Sequence, residues 1–104
     1  MTKAEIKTFI ERVDPGAKHH YAVLEDGGSY TVWAETERLG LDEDDGYGEL
    51  GWAFEIVRFT RDEFDVMPDE IEKALVSHPL ISFTYNVSSE PESGYIIHTF
   101  RCEA

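Results

Sequence analysis

The chain has few cations and almost no cysteine. Nine Lys and Arg residues stand against 22 Asp and Glu, which gives a formal net charge of −13. Because so few cations can displace counterions from a phosphate backbone, we expect no specific nucleic-acid binding. High net charge also keeps small proteins soluble, so the acidity has a nonspecific explanation too. Cys102 is the only cysteine, so the chain forms no intrachain disulfide and needs no oxidising compartment.

Long apolar runs are also missing. The stretch from Met1 to Lys7 lacks the apolar core of a signal peptide, and no segment approaches the length that spans a bilayer. We therefore expect a soluble protein that is made in the cytoplasm, is not exported by these routes and does not enter membranes. The 104 residues, 41% of them hydrophobic, predict one domain over 1–104 with a single core.

The sequence contains no recognised catalytic motif. It has neither a nucleophile elbow nor a phosphate-binding glycine loop, and Cys102, with no activating base at a known spacing, is interpreted as a packing or sheet-edge residue. His19 and His20 are adjacent, but neighbours on a strand point to opposite faces and would not share a metal ion. The acidic run 42–45 lacks the glycine of an EF-hand at its sixth position, where Tyr47 stands. We expect no enzyme activity, no cofactor and no metal site.

The first half of the chain predicts a helix, a hairpin and a loop. Thr2 and Glu5 have the spacing of a capping box, and an apolar stripe follows as far as Val13. Residues 20–24 and 30–35 are rich in aromatic and β-branched side chains, and the glycine-containing segment between them predicts a β-hairpin. The next segment, from Leu39 to Gly51, holds four glycines and the acidic run, which predicts a mobile loop.

The second half predicts a strand, a short helix and two more strands. Residues 52–60 alternate with apolar groups on both faces, which predicts cover on both sides of the sheet. Pro68 suits the start of a helix that Pro79 stops. Residues 81–87 and 95–102 then alternate as strands around a turn. The predicted fold is a single α+β domain with two helices and an antiparallel or mixed sheet, in the order α-β-β-β-α-β-β.

Four segments in this order carry a resemblance to a known family. They are Tyr30 to Glu37, Trp52 to Asp62, Asp69 to His78 and Gly94 to Arg101. Their arrangement resembles the small tail terminator and tail completion proteins of siphophages and prophages, in which a hairpin strand, a polar acidic loop, a strand, a helix and a closing strand follow one another. The chain departs from that pattern at Gly27-Gly28, where such proteins often carry proline.

The resemblance implies a structural role in virion assembly. Proteins of this family form a ring, expected to be a hexamer, at the head-proximal end of the tail tube, where the ring stops tube growth and joins the tail to the head. The implied partners are other copies of the chain, the tail tube protein and the head–tail connector. The implied location is the host cytoplasm before assembly and the virion tail afterwards.

Loops and aromatic anchors commonly form such contacts, so we expect interface residues at the loop and at the start of the following strand. These residues are Asp42, Glu43, Asp44, Asp45, Tyr47 and Trp52. The carboxylates of the loop would form a second contact patch or line a lumen through which DNA slides. An alternative function uses the same charge: a small acidic inhibitor, or nucleic-acid mimic, that occupies the basic groove of a DNA-binding protein.

Overall fold

A computed structural model of the protein describes residues 1–21, 28–40 and 51–104. Two helices and five strands follow one another in the predicted order, so the prediction of an α+β fold is confirmed. The elements are α1 (Lys3–Val13), β1 (Lys18–His19), β2 (Tyr30–Leu39), β3 (Gly51–Thr60), α2 (Met67–Ser77), β4 (Ser82–Glu90) and β5 (Tyr95–Glu103). The strands form one mixed sheet in the spatial order β1-β2-β3-β5-β4.

Both helices begin as the sequence predicts. At the start of α1, the Glu5 N–H donates to Thr2 Oγ1 at 3.1 Å, and the Thr2 N–H donates to Glu5 Oε1 at 2.9 Å, which completes the capping box. At the start of α2, Asp65 Oδ1 accepts from the Met67 N–H at 3.1 Å, and Pro68 lies in the first turn. Neither helix in the described part of the chain is long and apolar enough to cross a membrane.

The core lies between the helices and one face of the sheet. In β3, Phe54 and Ile56 alternate toward the helices, and Ile56 stands opposite Trp33 of β2 on one side and Phe100 of β5 on the other. The remaining buried members of this core are Ile6, Ile10, Ile71, Leu75, Ile81 and Cys102. Trp33 is therefore a core residue.

The described strand before β2 is not the first strand of the predicted β-hairpin, residues 20–24. The strand lies at Lys18–His19, earlier than predicted, and pairs with β2 in parallel, with Lys18 opposite Val32 and His19 opposite Trp33. A hairpin would require antiparallel pairing. Residues 22–27, which include most of the predicted first strand and the turn, lie outside the described residues.

The two helices cover the same face of the sheet, so the described elements do not provide the predicted cover on both sides. On the opposite face, which we call the open face, apolar side chains from β2, β3 and β5 are half-buried against one another. Tyr30 stacks on Phe59 with ring centroids 4.6 Å apart, and both rings meet Tyr95 edge-on. The apolar groups that suggested a second layer therefore pack laterally, within the sheet.

Cys102 packs in the core and not at an edge of the sheet. It lies on β5, between β3 and β4, with its side chain buried. Burial raises the pKa of the Cys102 thiol to about 12. The side chain is therefore a neutral thiol at physiological pH, which agrees with its interpretation as a packing residue.

Candidate functional site

Of the six predicted interface residues, the structure describes one. Asp42, Glu43, Asp44, Asp45 and Tyr47 lie outside the described residues. Trp52 is described, at the start of β3. It is half-buried and packs against the core.

Two cations of the same chain contact the ring of Trp52. Lys3 Nζ is 4.8 Å from the ring centroid, and the guanidinium carbon of Arg38 is 4.5 Å from it. The backbone N–H of Trp52 donates to the Ala104 carbonyl at 2.9 Å, and Ala104 N–H donates back at 3.0 Å. An interface role for Trp52 would therefore present a ring whose position is already fixed by cation–π contacts.

The outer edge of β4 is a long and unprotected sheet edge. The strand runs for nine residues with no Lys, Arg or Pro, and its register with β5 is unbroken from Ser82 to Glu90. No described strand pairs with its other side. Natural proteins usually protect such an edge with charges, proline or a bulge, because its unpaired backbone groups can accept another strand. The edge of β4 has none of these protections along its length and ends in one acidic residue, Glu90.

The sheet has a second and different edge at β2. There β1 pairs only with Val32 and Trp33, so the outer side of β2 from 34 to 39 has no partner strand among the described residues. The pairing of β2 with β3 shifts between Glu35 and Glu37, which marks a bulge. The two ends of the sheet thus present two dissimilar surfaces.

A cluster of titratable side chains lies where β1 meets β2. The parallel pairing places His19 opposite Trp33, and Glu35 follows two residues later on the same face of β2. His19 Nε2 is 2.8 Å from Glu35 Oε1, and His20 Nε2 is 3.1 Å from Glu35 Oε2. The two imidazoles therefore approach the two oxygens of one carboxylate.

The backbone of His20 explains why both histidines reach the same carboxylate. His20 has φ of 70°, in the left-handed region, which histidine enters more readily than most non-glycine residues. Its N–H donates to the Trp33 carbonyl at 2.7 Å. The strand thus ends at His19, and the alternation that would separate the two side chains no longer applies. The sequence-based argument that the two side chains point to opposite faces assumed extended backbone, which His20 does not adopt.

Ring stacking on the buried Trp33 holds the two imidazoles in place beside Glu35. The His19 ring stacks on the Trp33 ring, with centroids 3.9 Å apart, and the His20 ring stacks on His19 at 4.0 Å. Burial alone would raise the pKa of Glu35, but hydrogen bonds from its own backbone N–H and from His19, together with the nearby imidazoles, bring that pKa below its usual value. Adjacency of the two histidines was the sole sequence signal of this cluster, because Glu35 is remote in the chain.

A second polar network is structural. The Arg58 guanidinium lies on the helix-covered face of the sheet. Its Nε donates to Asp65 Oδ2 at 2.8 Å, and its Nη1 donates to Thr31 Oγ1 at 3.1 Å. Nη1 is also 3.6 Å from Asp14 Oδ2, a buried oxygen with no hydrogen-bond partner among the described residues. One cation thus joins α1, β2, β3 and the segment before α2.

Together these features describe a small α+β domain with one helix-covered face, one open face, two dissimilar sheet edges and a histidine–carboxylate cluster beside one edge. No protein-family model matches the chain, and no curated protein matches it closely enough to indicate a common origin.

Proposed function

We propose that the protein is a phage or prophage virion assembly protein of the tail terminator type. Copies of the chain associate into a ring at the head-proximal end of the tail tube, where the ring stops tube growth and joins the tail to the head. The unprotected outer edge of β4 is the observation that carries this proposal, because such an edge favours addition of a further strand.

A ring requires two different contact surfaces on each subunit, since its subunits meet head to tail. The outer edge of β4 and the unpaired part of the β2 edge, from 34 to 39, lie at opposite ends of the sheet. Pairing the β4 edge of one subunit with the β2 edge of the next would extend one sheet from subunit to subunit. The ring closes when a whole number of equal rotations between neighbouring subunits makes one full turn.

This role needs no reaction and no cofactor. Its partners are the other copies, the tail tube protein and the head–tail connector, and the protein passes from the host cytoplasm into the virion tail. With 22 acidic residues against nine cations, a lumen lined by this chain would offer DNA little to bind. The charge therefore suits a passage through which DNA moves without being held.

Association should be sensitive to a charge on β4. Val87, in the middle of the strand, is 57% exposed, so Val87→Lys can be accommodated without disturbing the core. Because lysine on an edge strand opposes strand addition, we expect the substitution to weaken association by at least about tenfold. Light-scattering mass over a wide concentration range measures this effect, and negative-stain images of the most concentrated sample show whether rings form.

The matched control is Val76→Lys, which makes the same change on α2 at a side chain that is 70% exposed. This variant should associate like the unmodified protein. A protein that stays monomeric over the whole range, or a Val87→Lys variant that associates normally, would contradict association through the β4 edge.

An acidic inhibitor that mimics nucleic acid is the second candidate. It is favoured by the segment 62–72, which carries five carboxylates around the start of α2 in addition to Asp65 of the Arg58 network. They belong to Asp62, Glu63, Asp69, Glu70 and Glu72. If this function holds, the protein should be a monomer. A column carrying an immobilised basic DNA-binding protein should retain it at low salt and release it as the ionic strength rises. A ring-forming protein with no such salt-dependent retention would eliminate this candidate.

A further inference from the structure

Three side-chain ligands converge at the junction of β1 and β2. The nearest atoms of His19, His20 and Glu35 that can bind a metal lie within 4.8 Å of one another. Two are imidazole nitrogens and the third is a carboxylate oxygen. We propose that these three residues bind a divalent transition-metal ion, with Zn²⁺ the best match, and that water completes its coordination. The proposal is independent of ring assembly.

The two distances between histidine nitrogen and carboxylate oxygen are close to those of a zinc site. Zinc binds histidine nitrogen and carboxylate oxygen at about 2.0–2.2 Å, so tetrahedral ligand atoms lie roughly 3.3 Å apart. Here the His19 and His20 nitrogens are 2.8 and 3.1 Å from the Glu35 oxygens. At present each nitrogen and oxygen are close enough to share a proton. An ion that replaces these protons would lengthen the two nitrogen–oxygen distances by no more than about half an ångström, and ligand atoms as much as 4.8 Å apart would draw closer together around it.

The surrounding structure restricts the three side chains to this arrangement. Trp33 is buried, and its ring supports the His19 ring, which in turn supports His20. The left-handed backbone of His20 directs its imidazole toward Glu35. The bulge in β2 follows Glu35 directly, and bulges commonly redirect side chains beside functional sites. The ligands are therefore held near one another before an ion arrives, and the nearly parallel imidazoles of His19 and His20 would turn toward each other so that both nitrogens face the ion.

The chemistry of the ligands selects the class of ion. Calcium and magnesium take oxygen ligands almost exclusively, whereas imidazole nitrogen suits zinc and its transition-metal neighbours. The described residues supply three protein ligands, and both imidazoles are substantially exposed. Water can therefore reach the remaining coordination position, as in zinc sites that keep an open position.

Metal titrations of the untagged full chain test the proposal. Zn²⁺ is titrated against a chromophoric chelator with excess Mg²⁺ present to occupy exposed carboxylates, and Co²⁺ serves as a spectroscopic probe of ligand geometry. We expect one Zn²⁺ per chain and an intense visible Co²⁺ spectrum typical of four-coordinate nitrogen and oxygen ligands. Zinc should also raise the melting temperature, because an ion that binds only the folded state stabilises that state.

Two variants remove single ligands while preserving the local structure. In His20→Asn, the new residue tolerates the left-handed backbone, and Glu35→Gln keeps the volume of the side chain but removes its charge. Each should weaken Zn²⁺ binding by at least about 100-fold, beyond the usual cost of losing an outer-shell partner. His78→Asn makes the same change outside the cluster and should bind like the unmodified chain.

Two results would contradict the proposed metal site. If folded His20→Asn or Glu35→Gln binds Zn²⁺ as tightly as the unmodified chain, the ion lies elsewhere and the proposal is wrong. If bound Co²⁺ shows only the weak spectrum of a six-coordinate ion with oxygen ligands, the three residues form a hydrogen-bonded cluster and no metal site. Circular dichroism establishes that each variant is folded before its affinity is compared.

Discussion

Replacing Arg58 with methionine is expected to lower the free energy of unfolding by about 3–5 kcal/mol. The Arg58 side chain is only 13% exposed, and its guanidinium is shared by Asp65, Asp14 and Thr31. Methionine fills much of the space but supplies no charge, so two poorly hydrated carboxylates lose their common cation. The cost comes mainly from those uncompensated charges. Urea denaturation monitored by tryptophan fluorescence measures it.

The matched control is Arg101→Met. Arg101 Nε lies 3.2 Å from Glu55 Oε1, but the Arg101 side chain is 59% exposed. Exposed pairs of this kind typically contribute less than about 1 kcal/mol, because water solvates both partners when the pair is broken. Equal losses in Arg58→Met and Arg101→Met would show that burial does not govern the Arg58 network.

The same network predicts a pH dependence. Burial alone would raise the pKa of Asp65, but hydrogen bonds from Arg58 and the Met67 N–H, together with the Arg58 charge, hold that pKa below its usual value. A carboxyl with a lowered pKa stabilises the folded state above its unfolded pKa of about 3.9 and loses that contribution as the pH falls through its folded pKa. The stability difference between the unmodified protein and Arg58→Met should therefore narrow below about pH 4. A difference that is constant with pH would contradict this account of Asp65.

Replacing Phe100 with alanine is expected to cost about 3–5 kcal/mol. Phe100 is fully buried at the centre of β5, opposite Ile56 on one neighbouring strand and Tyr85 on the other. Its ring stacks on the Tyr85 ring with centroids 4.3 Å apart. Alanine would remove this stacking and leave a cavity that three paired strands cannot easily collapse to fill. Equilibrium denaturation gives the loss.

Phe64→Ala is the matched control for Phe100→Ala. The Phe64 side chain is 81% exposed, so the same truncation removes few contacts and should change stability by no more than about 0.5 kcal/mol. A small loss in Phe100→Ala, comparable to that in Phe64→Ala, would mean that Phe100 does not occupy the packed centre of the sheet.

The sequence predicts those parts of the fold that local patterns determine. The capping box of Thr2 and Glu5, the helix that begins beside Pro68 and the alternation of β3 each follow from residues close together in the chain. The turn between β4 and β5 is equally local, and Gly94 there has φ of 75°. In each of these places, the residues that define the sequence pattern also make the contacts that form the helix, strand or turn.

The sequence fails where contacts between distant residues decide the outcome. The strand pattern before β2 did not indicate β1, a short strand at Lys18–His19 that pairs in parallel with β2, because pairing direction depends on the path of the chain and not on propensity. The cluster at Glu35 depends on that pairing, on the bulge and on the left-handed backbone of His20. None of these three features can be read from neighbouring residue types, so a rule for extended strands gave the wrong geometry for the two histidines.

Because Cys102 is buried, the rate at which its thiol reacts with a labelling reagent reports how often the folded protein opens. It is the single thiol of the chain, and β5 must separate from a neighbouring strand or from the helix layer before a reagent can reach it. With a pKa of about 12 in the folded state, the thiol is almost entirely unreactive until that happens. Labelling rates in native buffer therefore measure how often the interior of the sheet becomes exposed, without denaturant and without any introduced probe.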